Sequence, residues 1–319
     1  MPNLQVGNKN PALTLGALLE QRYRVIAFLG AGSSGQVYLC RDRARGDVRV
    51  AVKILSKELC LQPFARAEFL REFLIGTRLN HPNLLQYYST VRDADLTAFS
   101  MEYVTGGNLA TLIQNKIPLA LNEKVRILTE ICRGLSALHA LHVIHHDLKP
   151  ANILLSARRE AKVSDFGISR FKGQPPEGEA DARIGTPQYI SPEYLTDGVV
   201  TPLSDLYALG LLAYELVTGK PPFAGRTTME TIQLRFTTRP LEPHRVNSEC
   251  PRSLSKEIMR AMSLDPLARH ASAHELEDAF HDSLRPFWKP ARKSAEEVTS
   301  SGSRLASGAP NLDPGAEPA

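Results

Sequence analysis

Between Val143 and Gly167, four side chains lie close enough in sequence to share one reaction. Asp147 offers a carboxylate that can take a proton, and Lys149 a cation two residues on. Asn152 and Asp165 offer oxygen donors of the kind a hard divalent metal accepts. A base, a cation and two metal-capable groups within roughly twenty residues are what phosphoryl transfer from a metal-bound nucleotide requires. Any one of them alone is an ordinary loop Asp or surface Lys. Their order and spacing together set them apart.

Phosphate-handling residues appear upstream. Gly30-Ala31-Gly32-Ser33-Ser34-Gly35 fits G-x-G-x-x-G, a pattern shared by two nucleotide folds and many plain turns. A dinucleotide fold needs a helix after the third glycine, but Gln36-Val37-Tyr38-Leu39 continues as a strand. The Gly-Lys-Ser/Thr of a Walker loop is absent. What remains is a hairpin whose glycines let backbone N–H groups lie over phosphates. Val50-Ala51-Val52-Lys53 then places a lysine in an apolar strand, which is costly to bury unless an anion neutralises it. A solvated edge-strand lysine is the plainer alternative. Glu68 and Glu72, one turn apart on one helix face, are its candidate partners.

His145-His146-Asp147-Leu148-Lys149-Pro150-Ala151-Asn152 resembles the "HRDLKxxN" catalytic loop of protein kinases, and Ser164-Asp165-Phe166-Gly167 resembles the metal-binding segment that follows it. Gly185-Thr186-Pro187-Gln188-Tyr189-Ile190-Ser191-Pro192-Glu193 resembles the end of a serine/threonine kinase activation segment. The chain is identified on these motifs as a member of the eukaryotic-like (Hanks-type) serine/threonine protein kinases, similar in style to bacterial ones, over residues 22–284. The resemblance implies an α+β bilobal protein-kinase fold, with an antiparallel β-sheet N-lobe carrying one main helix and a mostly helical C-lobe. It implies transfer of the γ-phosphoryl group of ATP, with Mg²⁺ or Mn²⁺, to Ser/Thr hydroxyls of proteins. Asp147 is then the base, Lys149 the cation that stabilises the transferred group, and Asn152 and Asp165 the metal ligands.

ATP is expected over Leu29, Gly30, Ala31, Gly32, Ser33, Ser34 and Gly35. Val37, Ala51 and, from below, Leu154 complete an apolar adenine site, unless they are plain core. Lys53 is expected on the α- and β-phosphates, and the family's interval before His81-Pro82-Asn83 selects Glu72 over Glu68 as its partner. The segment Met101 to Asn108 resembles the gatekeeper, hinge and ribose-contact region, with Glu102 and Val104 reading the base edge. Asp205 is expected to brace the catalytic loop and Arg269 to pair with Glu193. The alternatives are a pseudokinase-like nucleotide-binding scaffold, disfavoured because Lys53, Asp147, Asn152 and Asp165 are all present, and a small-molecule kinase, disfavoured by residues 185–193.

Two positions depart from the family. His146 stands where Arg usually clamps a phosphorylated activation segment, and an imidazole of ordinary pKa about 6.5 is mostly neutral at pH 7. Between Phe171 and Ile184 there is no Ser, Thr or Tyr, while Glu177, Glu179 and Asp181 occupy the middle. Both halves of the usual phosphate switch are therefore expected to be missing, the alternative being a switch at Thr186 or Ser169. Gly76 falls one turn after Glu72, where the family packs an apolar side chain. The expectation is incomplete packing, at about 1 kcal/mol of helix stability, and a mobile helix that a homodimer or other partner could fix.

These residues need elements to hold them. Strand patterns run over Tyr23–Leu29, Gln36–Cys40 and Val48–Leu55, then Leu84–Val91 and Thr97–Val104. A helical pattern covers Phe64–Leu79, with Phe69, Phe73, Leu70 and Leu74 on one face, and further helices are expected over 122–141, 205–218, 254–262 and 273–280. The domains are a loosely attached arm at 1–21, an N-lobe at 22–104, a C-lobe at 105–284 and a disordered tail at 285–319.

The 319 residues suffice for two lobes, and a net charge of +4 is small for this size and argues neither for nucleic acid nor for an acidic membrane as the main partner, so none is expected. Cys40, Cys60, Cys132 and Cys250 show no metal-site spacing and suit reduced thiols in a cytoplasmic protein. The most apolar run, Leu209–Val217, is too short to span a bilayer.

Overall fold

The computed structural model describes residues 13–32, 35–93, 96–166, 170–171 and 187–284. The sheet-rich half contains β1 (Leu18–Leu19), β2 (Tyr23–Gly32), β3 (Gly35–Asp42) and β4 (Val48–Ile54). The short helix α1 (Lys57–Cys60) and the main helix α2 (Pro63–Arg78) follow, before β5 (Tyr87–Asp93) and β6 (Leu96–Glu102). All six strands pair antiparallel in the order β1-β2-β3-β4-β6-β5. Strand alternation gives each face its job. Val50, Val52 and Ile54 of β4 enter a core on the outer face of the sheet, whereas Ala51 joins the core shared with α2. Lys53, two residues on, shares the face of Ala51.

The stretch 1–21, expected to be a loose arm, is described from residue 13, and that part is fastened to the sheet. Leu18 pairs with Arg24, Gly16 N–H donates to the Val25 carbonyl at 2.9 Å, and Leu13 N–H donates to the Tyr38 hydroxyl at 3.1 Å. The stretch contains Pro, Asn and Gly with a short apolar patch from Leu13 to Leu19, and it is this patch that supplies the added strand and buries Leu19 to 3% exposure. The expected tail at 285–319 lies outside the described residues.

Helix α2 also differs from its expected face. Ala65, Phe69, Glu72, Ile75 and Gly76 are buried, while Leu74 is 57% exposed. A face chosen to include Glu72 rotates Leu74 outward.

Beyond Glu102 the chain turns helical: α3 (Leu109–Gln114) and α4 (Leu121–Ala140) precede β7 (Val143–Ile144), β8 (Ile153–Leu155), β9 (Ala161–Val163) and β10 (Arg170–Phe171). The remaining helices are α5 (Pro192–Asp197), α6 (Pro202–Thr218), α7 (Thr228–Thr237), α8 (Pro243–Val246), α9 (Arg252–Ala261) and α10 (Ala273–Asp282). Helix α6 begins with a reciprocal cap between Thr201 and Ser204 and a proline at its first turn. Apolar on nearly every side, it runs buried through the core. One continuous cluster joins Ala51 and Phe69 of the first half to Leu135, Leu209 and Phe280 of the second. Among the described residues no helix is long and apolar enough to cross a membrane.

Candidate active site

Lys53 is 7% exposed, and its Nζ donates to both Glu72 oxygens, at 2.8 and 2.7 Å, and to Asp165 Oδ1 at 3.3 Å. Burial pulls the Lys53 ammonium down, but Asp165 and Glu72 outweigh it and hold the group protonated, above its ordinary value. Lys53 in turn holds the Asp165 carboxyl below the usual range, so Asp165 stays ionised although burial opposes this. The Asp165 side chain is 42% exposed, which leaves this buried network one open end. Of the two candidate glutamates, Glu72 is the partner.

A feature missed from the sequence completes the network. Tyr87 Oη donates to Glu72 Oε1 at 2.9 Å, and burial holds its hydroxyl protonated, well above its ordinary value. The Tyr87 ring fills the space beside Gly76, where a Cβ would meet it at 2.4 Å. The packing expected to be incomplete at Gly76 is therefore complete: the missing side chain on α2 is replaced by a ring from β5. The signal was an apolar position vacated by glycine, eleven residues before a tyrosine in the next strand. From Tyr87 a series of rings continues to Phe99 at 5.2 Å, to Phe166 at 5.8 Å, and from Phe166 to His145 at 5.8 Å.

His145 fastens the catalytic loop to the strand leading into Asp165. Its Nδ1 accepts from Asp147 N–H at 3.2 Å, so its Nε2 carries the proton and donates to the Ser164 carbonyl at 3.0 Å. Asp205 of α6 braces the loop from below, accepting from the N–H groups of His145 and His146 at 2.9 Å each and contacting His139 Nε2 at 2.8 Å. Burial works to raise the Asp205 carboxyl, but these bonds hold it below its ordinary range. His146 and Asp165 both have left-handed backbone, φ 65° and 68°, a conformation costing on the order of 1–3 kcal/mol where no glycine relieves it. The Asp205 and Lys53 contacts hold these two residues in it.

Asp147 and its neighbours already converge. Lys149 Nζ donates to Asp147 Oδ2 at 2.6 Å, and Asn152 Nδ2 donates to the Asp147 carbonyl at 2.8 Å and to Oδ2 at 3.1 Å. With its amide nitrogen so used, the side-chain atom of Asn152 suited to meet a cation is its oxygen. Together with ionised Asp165 this gives two hard oxygen donors, a set suited to Mg²⁺ completed by water and phosphate.

The expected ATP-site residues lie on the strands around Lys53, on the segment after β6 and on β8. Leu29, Val37 and Leu154 are half-buried against the shared core and Ala51 and Met101 lie within it. Gly30, Ala31 and Gly32 end β2. Gly35 has φ 145°, and a Cβ there would stand 2.0 Å from the Ile54 carbonyl oxygen, so the turn accepts only glycine. Ser33 and Ser34 lie outside the described residues, as do Gly167, Ser169, Gly185 and Thr186. The Glu102 N–H is taken by the Gln86 carbonyl at 2.8 Å. Asn108, expected at the ribose, caps α3, its side-chain oxygen accepting from Thr111 N–H at 2.8 Å and Oγ1 at 3.0 Å.

Two supports stand below the cleft. Arg269 meets Glu193 through two bonds, 2.9 and 2.7 Å, as expected. His146 turns its ring edge-on to Tyr194 of α5, with centroids 4.6 Å apart.

Comparison with known proteins agrees with this geometry. The family model described as the protein kinase domain matches residues 23–280. The serine/threonine-protein kinase PknB of Mycolicibacterium smegmatis is 34% identical over 265 residues, 81% of this chain and 42% of that protein. The serine/threonine-protein kinase pkn3 of Myxococcus xanthus is 34% identical over 290 residues, 88% of this chain and 52% of that one. The chain thus spans about half the length of these curated relatives. Among solved structures, the kinase domain of Mycobacterium tuberculosis PknI is similar with a TM-score of 0.65 at 26% identity, covering 86% of this chain and 99% of that one.

Proposed function

The chain belongs to the protein kinase family, and from that premise we propose that it transfers the γ-phosphoryl group of ATP to Ser or Thr hydroxyls of protein substrates. The observation that carries this reading is the converged pair of networks, Lys53–Glu72–Asp165 facing Asp147–Lys149–Asn152. Lys53 binds the α- and β-phosphate oxygens, and Leu29, Val37, Ala51 and Leu154 enclose the base. Its edge is read by backbone groups of Glu102 to Val104, with Glu102 offering its carbonyl because its N–H is already used. Asp147 orients the acceptor hydroxyl and takes its proton as the oxygen bonds to the γ-phosphorus and the bond to the β,γ-bridging oxygen breaks, releasing ADP. Lys149 offsets charge on the phosphoryl group in transit. Asn152 and Asp165 would hold Mg²⁺, which supplies neutralisation of phosphate charge when bound.

The test is ATP-dependent phosphate incorporation into the chain itself and into a generic basic protein. Asp147→Asn is expected to lower the rate by ~10²–10⁴-fold while nucleotide binding persists. Equal rates would remove the enzyme reading; nucleotide binding without transfer by the wild type would favour the scaffold.

The reading extends to control. His146 packs on Tyr194 where a phosphate clamp would otherwise stand, and residues 172–183 contain no hydroxyl. Activity accordingly does not depend on phosphorylation inside that loop. Phosphatase treatment is expected to leave the rate unchanged, and a large loss would sink the idea. Four free cysteines support a reducing, cytoplasmic setting.

A further inference from the structure

A cavity of about 1050 Å³ opens in the helical half, away from the catalytic residues, between the end of α7, the segment through α8, and α9. Its lining carries Arg235, Arg239, Arg245, Arg252, Lys256 and Arg260 against a single carboxylate, Glu242. Glu242 is already shared, lying 3.9 Å from Arg239, 3.5 Å from Arg245 and 3.7 Å from His244. Arg260 is paired outside the lining, with Glu275 at 2.8 Å. Arg252 and Lys256 are exposed one turn apart on α9 and have no ion-pair partner among the described residues. Like charges at that spacing repel, so α9 maintains them against its own stability.

The walls between the cations are apolar. Phe236 is 43% exposed and Leu264 46% exposed, with Met259 and Phe223 beside them. Cationic rim and hydrocarbon wall together suit a polypeptide that presents carboxylates around a bulky apolar side chain. At one side of the lining lies Arg235, 2% exposed, whose guanidinium donates to the carbonyls of Pro187 and Ile190 and whose Nε has no acceptor among the described residues. That contact joins the groove to residues 187–190, within the stretch that resembles the end of a kinase activation segment.

We propose that this groove docks an acidic, apolar-anchored segment of protein substrates, remote from the phosphorylated residue. The proposal rests on the kinase reading and deepens it by naming what brings a substrate to the site.

Two synthetic peptides with the same acceptor serine test it, one short and one extended by a flexible linker to Asp-Glu-Glu-Phe-Asp-Glu-Leu. Tethering converts docking into a gain in local concentration, so with the full chain the extension is expected to lower KM about tenfold or more without raising kcat. Arg252→Glu with Lys256→Glu removes that advantage and leaves the short peptide's kinetics unchanged. High salt does the same to the wild type, which keeps the test independent of any folding defect. An extension without effect, or an effect that survives both charge reversal and salt, overturns the proposal.

Fluorescence anisotropy with the labelled acidic segment reads docking without catalysis. A wild type that binds the segment but phosphorylates neither peptide would defeat the kinase reading while leaving docking intact. Tighter binding of an oligothymidylate than of the peptide, or a dimer that the charge reversal converts to monomer in sedimentation velocity, would give the groove to another occupant and overturn the assignment.

Discussion

Lys53–Glu72 in the sheet-rich half and Arg269–Glu193 in the helical half are both buried ion pairs with closest contacts of 2.7 Å, yet their surroundings are opposite. Arg269 is saturated: besides both Glu193 oxygens it donates to the carbonyls of Leu203, Ser263 and Leu264, and Glu193 also accepts from Ser204 Oγ. Its side chain has no exposure at all. Lys53 instead ends on Asp165, a carboxylate that solvent reaches. A pair with every donor used can only fasten its elements together, whereas a pair with an open carboxylate beside it has capacity left for phosphate and metal.

The strongest way to break this contrast is Arg269→Ala. It leaves Glu193 buried and uncompensated, and the expected loss is ~3–5 kcal/mol of stability, read from urea unfolding. Because nothing in that network is reserved for a ligand, Mg-ATP is expected to protect the variant as much as it protects the wild type. Selective loss of nucleotide protection would show the helical pair to be part of the site.

A smaller effect is expected at Gly76→Ala. In an ordinary helix this change adds about 1 kcal/mol of stability. Here the new methyl meets the Tyr87 ring, and overpacking of this kind costs ~1–3 kcal/mol. The net sign is expected to be destabilising, with transfer slowed because α2 carries Glu72. Trimming the ring with Tyr87→Leu is expected to recover part of the packing loss, and thermal melts of the single and double variants check it. A stabilised single variant would mean that α2 is as loose as its sequence suggests.

The smallest effect concerns acid. Burial tends to raise the Glu193 carboxyl, but Arg269 outweighs it and holds the folded value below the ordinary one. A depressed folded pKa contributes stability that is present above the unfolded value, about 4, and is lost as pH falls through the folded value. Asp205 contributes with the same sign. The contribution of these two carboxylates to the urea midpoint is therefore expected to hold from neutral pH to about 5 and to be lost below about 4, less steeply in the Arg269 variant. A midpoint that rises on acidification would contradict the ion-pair assignment.

Part of this contrast was legible in the chain because it is local: Asp147, Lys149 and Asn152 lie on one loop. The pairing of Lys53 with Glu72, 19 residues on, and of Glu193 with Arg269, 76 residues on, was readable only through the resemblance to protein kinases. What escaped depends on contacts between elements whose meeting no spacing announces. Tyr87 fills Gly76 from a different strand, Leu74 turns outward because Glu72 turns in, and residues 13–19 add themselves to a sheet edge. The basic groove was invisible for the same reason. Its cations are spread from Arg235 to Arg260 over helices that are short and interrupted by Pro240, Pro243 and Pro251, and only their packing gathers them.

Tyr87 also stands directly across from Met101 in the β5–β6 register. The face of the sheet beside Met101 consequently carries a phenol hydroxyl bonded to a carboxylate instead of hydrocarbon alone. For a small molecule designed to reach past Met101, affinity there would come from a polar head that exchanges hydrogen bonds with Tyr87 and Glu72. A purely greasy group would leave the Tyr87–Glu72 bond in place and gain only contact area.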